Sequence, residues 1–379
     1  MNSIFTTKVA SLVIAGLSLS GLAYSQDSVA HLIGAPGTPR TITVPKGFIE
    51  FGADDAPTST LPNWTGTSNG ISYTMLGSAP TSGTSSTLPV VFIPLIFKIG
   101  SVTFDPTKPV KGSTLNEIQL LEQSPIFTAV DLKAGSVDLG TNQYEDNFMR
   151  ANFWSEDVQG TSNYHVKLNT PSVRPSITLT VPARQGITEQ AGSSTIGDVN
   201  LTYFQNALNS ILANTKEQLT GGQLVIFVYY NVFFYEGVSA DCCVLGFHGQ
   251  TTNNIIYGAA AFNDPGEFSG VVLQDVTVIT HEVGEAINDP YVNTNENIVP
   301  AFGNVGQVEG CQDNLEVGDP VTGLATTITM PNGFTYHPED LVFHGWFTRS
   351  VPSGSVNGWY TFLNNFTGDA KKCPPGGSN

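Results

Sequence analysis

The sequence predicts an α+β protein, with a β-rich region over residues 26–195 joined to a helix/strand/helix region over residues 196–379. Three observations carry this expectation. From Thr38 to about Arg184, short β-branched and aromatic runs alternate with Pro, Gly, Asn and Asp, which is the grammar of strands and turns. After residue 197 the apolar residues recur at helical spacing, then as a continuous run, then at helical spacing again. Charged residues make up only 12% of the chain while apolar ones reach 40%, with 39 Gly and 23 Pro, so a turn-rich globular core is expected rather than disorder.

The N-terminus carries Lys8 and then an apolar run from Val9 to Ala23, about 15 residues where a spanning helix needs about 20. Small residues at Ala23 and Ser25 place a signal-peptidase cut before Gln26, so residues 1–25 read as a signal peptide and the mature chain as secreted, extracellular or periplasmic. No later segment is long and apolar enough to span a bilayer. Thr41–Pro45, Leu88–Phe97 and Ser176–Pro182 read as strands, and residues 53–87, rich in Ser, Thr, Gly and Pro, as a surface excursion or loose hairpin. Helices are expected over Leu115–Leu121, Gln143–Trp154 and Val199–Lys216, and a buried strand or hairpin over Leu224–Tyr235.

Removing Lys8 with the leader leaves 14 basic residues against 32 acidic ones, so the formal charge moves from −17 to −18. Such a surface repels phosphate backbones and anionic lipids, which argues against nucleic acid as a partner. Four cysteines (Cys242, Cys243, Cys311, Cys373) in an exported chain are candidate disulfides with three possible pairings. An adjacent pair is more easily satisfied by separate partners, so two bridges stapling the segments near residues 242, 311 and 373 are expected. No Cys-x-x-Cys spacing points to cysteine ligation of zinc.

The chemistry concentrates in Val271–Asn288, closed by Asp289-Pro290. At 100° per residue, Val272, Val276, Ile279, Val283 and Ile287 form one apolar stripe, and His281, Glu282 and Glu285 fall opposite. His281 and Glu285, four apart, stack on successive turns and can close on one ion, with Glu282 on the flank. A solvated helix face also carries His and Glu, and Gly284 weakens a helix by about 1 kcal/mol. What favours ligation is the acidic run Glu309–Pro320 downstream: a zinc site takes three protein ligands, and Glu316 or Asp319, the latter flanked by Gly318 and Pro320 in a turn, can be the third.

These residues carry a resemblance. His281-Glu-Val-Gly-Glu285-Ala-Ile-Asn-Asp289-Pro290, followed by Leu315-Glu-Val-Gly-Asp319, resembles the pattern of the phosphate-induced (exordium-like) proteins of plants and their secreted bacterial relatives. Cys243 with Gly246-Phe247-His248 is similar to that family's Cys-Gly-Tyr/Phe-His, with two extra residues here, so His248 is left without an assigned role. The resemblance covers about residues 240–346 and implies export and a zincin-like helix in the C-terminal half.

The expected activity is that of a zinc-dependent hydrolase, with peptides or proteins as substrate. Zinc would be held by His281, Glu285 and one of Glu316 or Asp319, with Glu282 as general base. His337 and His344 are expected in structural hydrogen bonds rather than as ligands, Asp289 supports the site from outside, and His31 and His165 are assigned nothing. Two alternatives stand beside this one. A non-catalytic exported envelope- or polysaccharide-binding protein would hold a structural metal or none. A glycoside hydrolase would use paired carboxylates, but the acids here cluster at metal-ligand spacing.

Overall fold

Strand-forming text from both sides of residue 195 converges on one sheet. The computed structural model describes residues 40–42, 59–159, 163–214, 219–292, 297–308, 310–365 and 373; the expected leader, His31 and Glu309 lie outside the described residues. The main path of the sheet runs, in spatial order, Arg40–Ile42, Ile177–Val181, Val90–Ile99, Leu224–Tyr230, Ile256–Phe262 and Gly246–Gln250. The first five strands are parallel and the last is antiparallel to its neighbour. Strands inside a parallel sheet are covered on both faces, which explains why Val90–Ile99 and Leu224–Tyr230 read as near-continuous apolar runs rather than alternating ones. Helix and strand are mixed along the chain, in keeping with the α+β expectation, and one hydrophobic core runs from Leu61 to Phe362.

The expected Leu224–Tyr235 element is two strands in two sheets. Asn231, at φ 51°, breaks the run after Tyr230 and turns Val232–Tyr235 into a second sheet, ordered Gly186–Ala191, Ser194–Asn200, Val232–Tyr235 and Cys242–Val244. Asn tolerates this left-handed backbone, and its side chain is held from across the fold: Asn231 donates to Asp264 Oδ2 at 3.0 Å and accepts from the Asp264 amide at 2.9 Å. Within the stretch read as an excursion, Asn69 and Gly70, both at positive φ, close a tight hairpin of Asn63–Ser68 and Ile71–Leu76. Its inner strand is buried and packs on the helix that carries the motif.

That helix is Thr277–Asn288, and it corrects one expectation. It begins at Thr277 and not at Val271, because Asp275 takes φ 42° and uses its Oδ1 to accept from the amides of Val276 and His337. Both of its faces are also buried, the polar one included. The helix lies across Ile256–Phe262 and Gly246–Gln250, and the small residues Gly246, Gly258 and Ala260 on the facing side let it approach. On its other side, a Cβ at Gly284 would stand 2.8 Å from Leu341 Cδ1, so the helix-weakening glycine serves packing. The helices Glu117–Glu122, Tyr144–Asn152 and Leu201–Asn214 fall where expected. Among the described residues no helix is long and apolar enough to cross a membrane.

The cysteines pair as Cys311–Cys373 and Cys242–Cys243. The second pair corrects the expectation of separate partners: once Cys311 closes on Cys373, the two remaining thiols are the neighbours on the edge strand Cys242–Val244.

Candidate metal centre

The i, i+4 spacing does what helix geometry requires. His281 Nε2 stands 3.1 Å from Glu285 Oε1 one turn later, and 3.4 Å from Asp319 Oδ1, which arrives from the segment that follows the helix. His281 Nδ1 faces Glu339 Oε2 at 2.6 Å, and Glu339 Oε1 accepts from the Gly323 amide at 2.5 Å. A carboxylate can only accept from the ring, so Nδ1 carries a proton, and Nε2 is the nitrogen that faces Glu285 and Asp319. Nε2 has no hydrogen-bond partner, although His281 is fully buried.

Asp319 is held at this distance by two amides: Gln307 Nε2 donates to Oδ1, and Gln312 Nε2 donates to Oδ2 at 2.5 Å. Gly318 donates its amide to Glu285 Oε1 at 3.1 Å. Any side chain at Gly318 would run into the His281 ring, so the glycine of the Leu-Glu-Val-Gly-Asp segment is what lets the loop reach the helix.

Glu316 points elsewhere. Asn314 donates to its Oε1, while its Oε2 has no partner and lies 3.8 Å from His248 Nε2. His248 reaches the centre from the antiparallel edge strand, where it pairs in register with Gly258. Its Nε2 donates to the Asp289 carbonyl at 3.1 Å, and its Nδ1 lies 3.5 Å from Glu285 Oε2 and 3.7 Å from Glu282 Oε2. Glu282 lies against Gly246 of the same strand, and neither of its oxygens has a hydrogen-bond partner.

Two donor groups result, each with all its ligand atoms within 4.8 Å of one another: His281, Glu285 and Asp319, and His248, Glu285 and Glu316. The question of a third ligand is thus divided, Asp319 joining the His281 side and Glu316 the His248 side. Glu282, Glu285, Asp289, Glu316, Asp319 and Glu339 are all buried, and among the described residues no Lys or Arg forms an ion pair with any of them. Six buried carboxyls beside two imidazoles call for protons or cations, because an uncompensated buried charge is very costly.

The titration behaviour reflects that crowding. Burial alone would lower His281, but Glu285 and Glu339 outweigh it and hold the ring well above its ordinary value. Burial also opposes protonation of His248, and Glu316, Glu282 and Glu285 reverse it in the same way. Glu285 goes against the trend of its neighbours: burial pushes it up, but His281 and His248 on either side pull it below the usual carboxylate range. Burial pushes Glu282 up to about 7 against the opposing pull of His248 and His281, and Glu316 rises well above normal through burial and Glu285. Removing protons and leaving bare donors is what a cation does when it binds such a set.

The remaining histidines stand away from this centre. His337 Nδ1 is 2.7 Å from Asp275 Oδ2, His165 Nδ1 is 2.7 Å from Asp146 Oδ2, and His344 Nδ1 donates to Asn152 Oδ1 at 2.8 Å. Asp289 meets the centre through its backbone carbonyl, which accepts from His248, while its Oδ1 accepts from Asn297 at 3.0 Å. Sequence reasoning passed over Glu339, Gln307, Gln312 and Asn314. The amide-rich spacing of Gln307, Gln312 and Asn314 around the acidic run was a usable signal; for Glu339 there was none. No family model, curated protein or solved structure matches the chain.

Proposed function

We propose that this chain is an exported zinc-dependent hydrolase that cleaves peptide bonds, with His281, Glu285 and Asp319 as its principal metal ligands and Glu282 as general base. The carrying observation is His281. One ring nitrogen is locked by Glu339, and the other, buried and without a hydrogen-bond partner, faces two carboxylates. Leaving that nitrogen bare costs about 1–3 kcal/mol, which a cation at that point would remove. A histidine whose second nitrogen is tied to a carboxylate is the usual arrangement of a metal ligand. A mixed imidazole and carboxylate donor set suits zinc.

When bound, zinc supplies Lewis acidity that polarises a carbonyl and acidifies a water. Glu282, next in the chain to His281 and with both oxygens unpartnered, takes the proton of the attacking water and returns it to the leaving amine. Its position near neutrality suits both transfers. The Glu282 carboxylate lies against the edge strand, over Gly246 and 3.7 Å from His248 Nδ1. The resemblance to the exordium-like proteins supports export and membership of that group, and Cys311–Cys373 fits an oxidising compartment.

A second reading, favoured by burial, is a structural ion in a non-catalytic exported protein. The donors His281, Glu285, Glu316 and Asp319 are each at most 1% exposed. Glycoside hydrolysis has no such support, since the acids gather around imidazoles at ligand distances. Metal analysis and casein cleavage by the purified mature protein, beside Glu282→Gln and Glu285→Ala, separate these. The hydrolase keeps zinc but loses cleavage in Glu282→Gln, and loses zinc in Glu285→Ala. Zinc without cleavage in any form establishes the structural reading, and no metal in the wild type removes both.

A further inference from the structure

We infer that the centre binds two divalent cations bridged by Glu285, the second held by His248 and Glu316. This rests on the metal reading of the His281 site and extends it to a set of donors that a single ion does not use.

Four observations converge. The two oxygens of Glu285 face different histidines: Oε1 is 3.1 Å from His281 Nε2, and Oε2 is 3.5 Å from His248 Nδ1. Both histidines have a nitrogen turned to Glu285 and a carboxylate of their own side close by. His281 commits Nδ1 to Glu339 and turns Nε2 to Glu285 and Asp319, whereas His248 turns Nδ1 to Glu285 and has its Nε2 beside both the Asp289 carbonyl and Glu316. Each side has its own further carboxylate, Asp319 on one and Glu316 on the other. Finally, Glu316 Oε2 is fully buried, lacks a hydrogen-bond partner, and lies on the His248 side.

Charge accommodates two ions. With neutral imidazoles the six buried carboxyls carry up to six negative charges, and no lysine or arginine among the described residues offsets them. One divalent ion at His281 would leave the His248 and Glu316 donors bare, whereas two ions sharing a carboxylate use every donor of both groups. Paired metals about 3.5–4 Å apart and bridged by a carboxylate serve hydrolytic sites by clamping the attacking and leaving atoms. The substrate class is therefore one whose oxygen can lie between two cations.

The test is zinc stoichiometry on the full mature chain, stripped with chelator, reloaded and desalted, for the wild type, Glu316→Gln and His248→Gln. Glu316→Gln preserves the side chain's shape and the acceptor for Asn314, so it remains informative should the histidine variant misfold. Two ions per chain in the wild type and one in Glu316→Gln are expected. Reloading with manganese should give a spin-coupled resonance in the wild type that becomes an isolated-ion signal in the variant. One ion in the wild type, unchanged in Glu316→Gln, overturns the second site and leaves the single-ion reading standing. No ion in any form overturns both.

Discussion

Two histidines of this protein are equally buried and electrostatically opposite. His344 sits among rings, stacked on Phe153 at 4.8 Å between centroids with Tyr73 at 5.3 Å, and its only carbonyl partner is neutral Asn152. Burial there lowers it from its ordinary 6.5 to about 4. His281 pays the same desolvation penalty but is surrounded by Glu285, Glu339 and Asp319, and is held well above normal. Burial alone therefore makes an imidazole a neutral core residue. It takes a crowd of unpaired carboxylates to make it a cation site, and that crowd, not the histidine, marks the function.

The largest effect that would sharpen this contrast is at His344. Its folded value lies below its unfolded one, so between about 6.5 and 4 the unfolded chain binds more protons. The stability this group contributes is present above pH 6.5 and is lost as pH falls toward 4. The loss amounts to about 3 kcal/mol. Urea unfolding of wild type and His344→Gln across pH 4–7 should show that component in the wild type alone. Equal slopes would break the comparison from the His344 side.

A smaller effect is expected at Glu339. Glu339→Gln keeps a contact to His281 but removes the charge that fixes its tautomer. Zinc affinity should fall about 10- to 100-fold in a competition titration with a chelating dye. Unchanged affinity would mean that the 2.6 Å contact does not prepare the ligand. The smallest concerns Gly284. Gly284→Ala gains up to about 1 kcal/mol of helix propensity but pushes on Leu341 and Glu145, so a net loss of about 1 kcal/mol in thermal unfolding is expected. A stabilised variant would show that the helix does not need its close approach to Leu341.

Much of the centre was legible because it is local. His281, Glu282 and Glu285 are fixed by the period of a helix, and the acidic run announced Glu316 and Asp319. Their division between two histidines was not legible, because it depends on where the edge strand places His248, a matter of sheet register. Glu339 lies 58 residues from His281, and only the folded loop brings them together. The same limit explains the fold. Runs such as Leu224–Tyr230 declared themselves as strands, but the left-handed turn at Asn231 that divides two sheets is a single backbone choice that no periodicity records. The helix start moved for a related reason: Asp275, at positive φ just ahead of it, is held by the His337 amide, far along the chain.

The central claim, that a cation lies where His281 Nε2, Glu285 and Asp319 converge, is tested most directly by anomalous diffraction at the zinc edge from crystals of the zinc-loaded protein. A peak is expected within bonding distance of His281 Nε2, about 2.0–2.1 Å. The contradicting result is no anomalous density there, with Nε2 hydrogen-bonded to a protonated carboxyl or an ordered water instead.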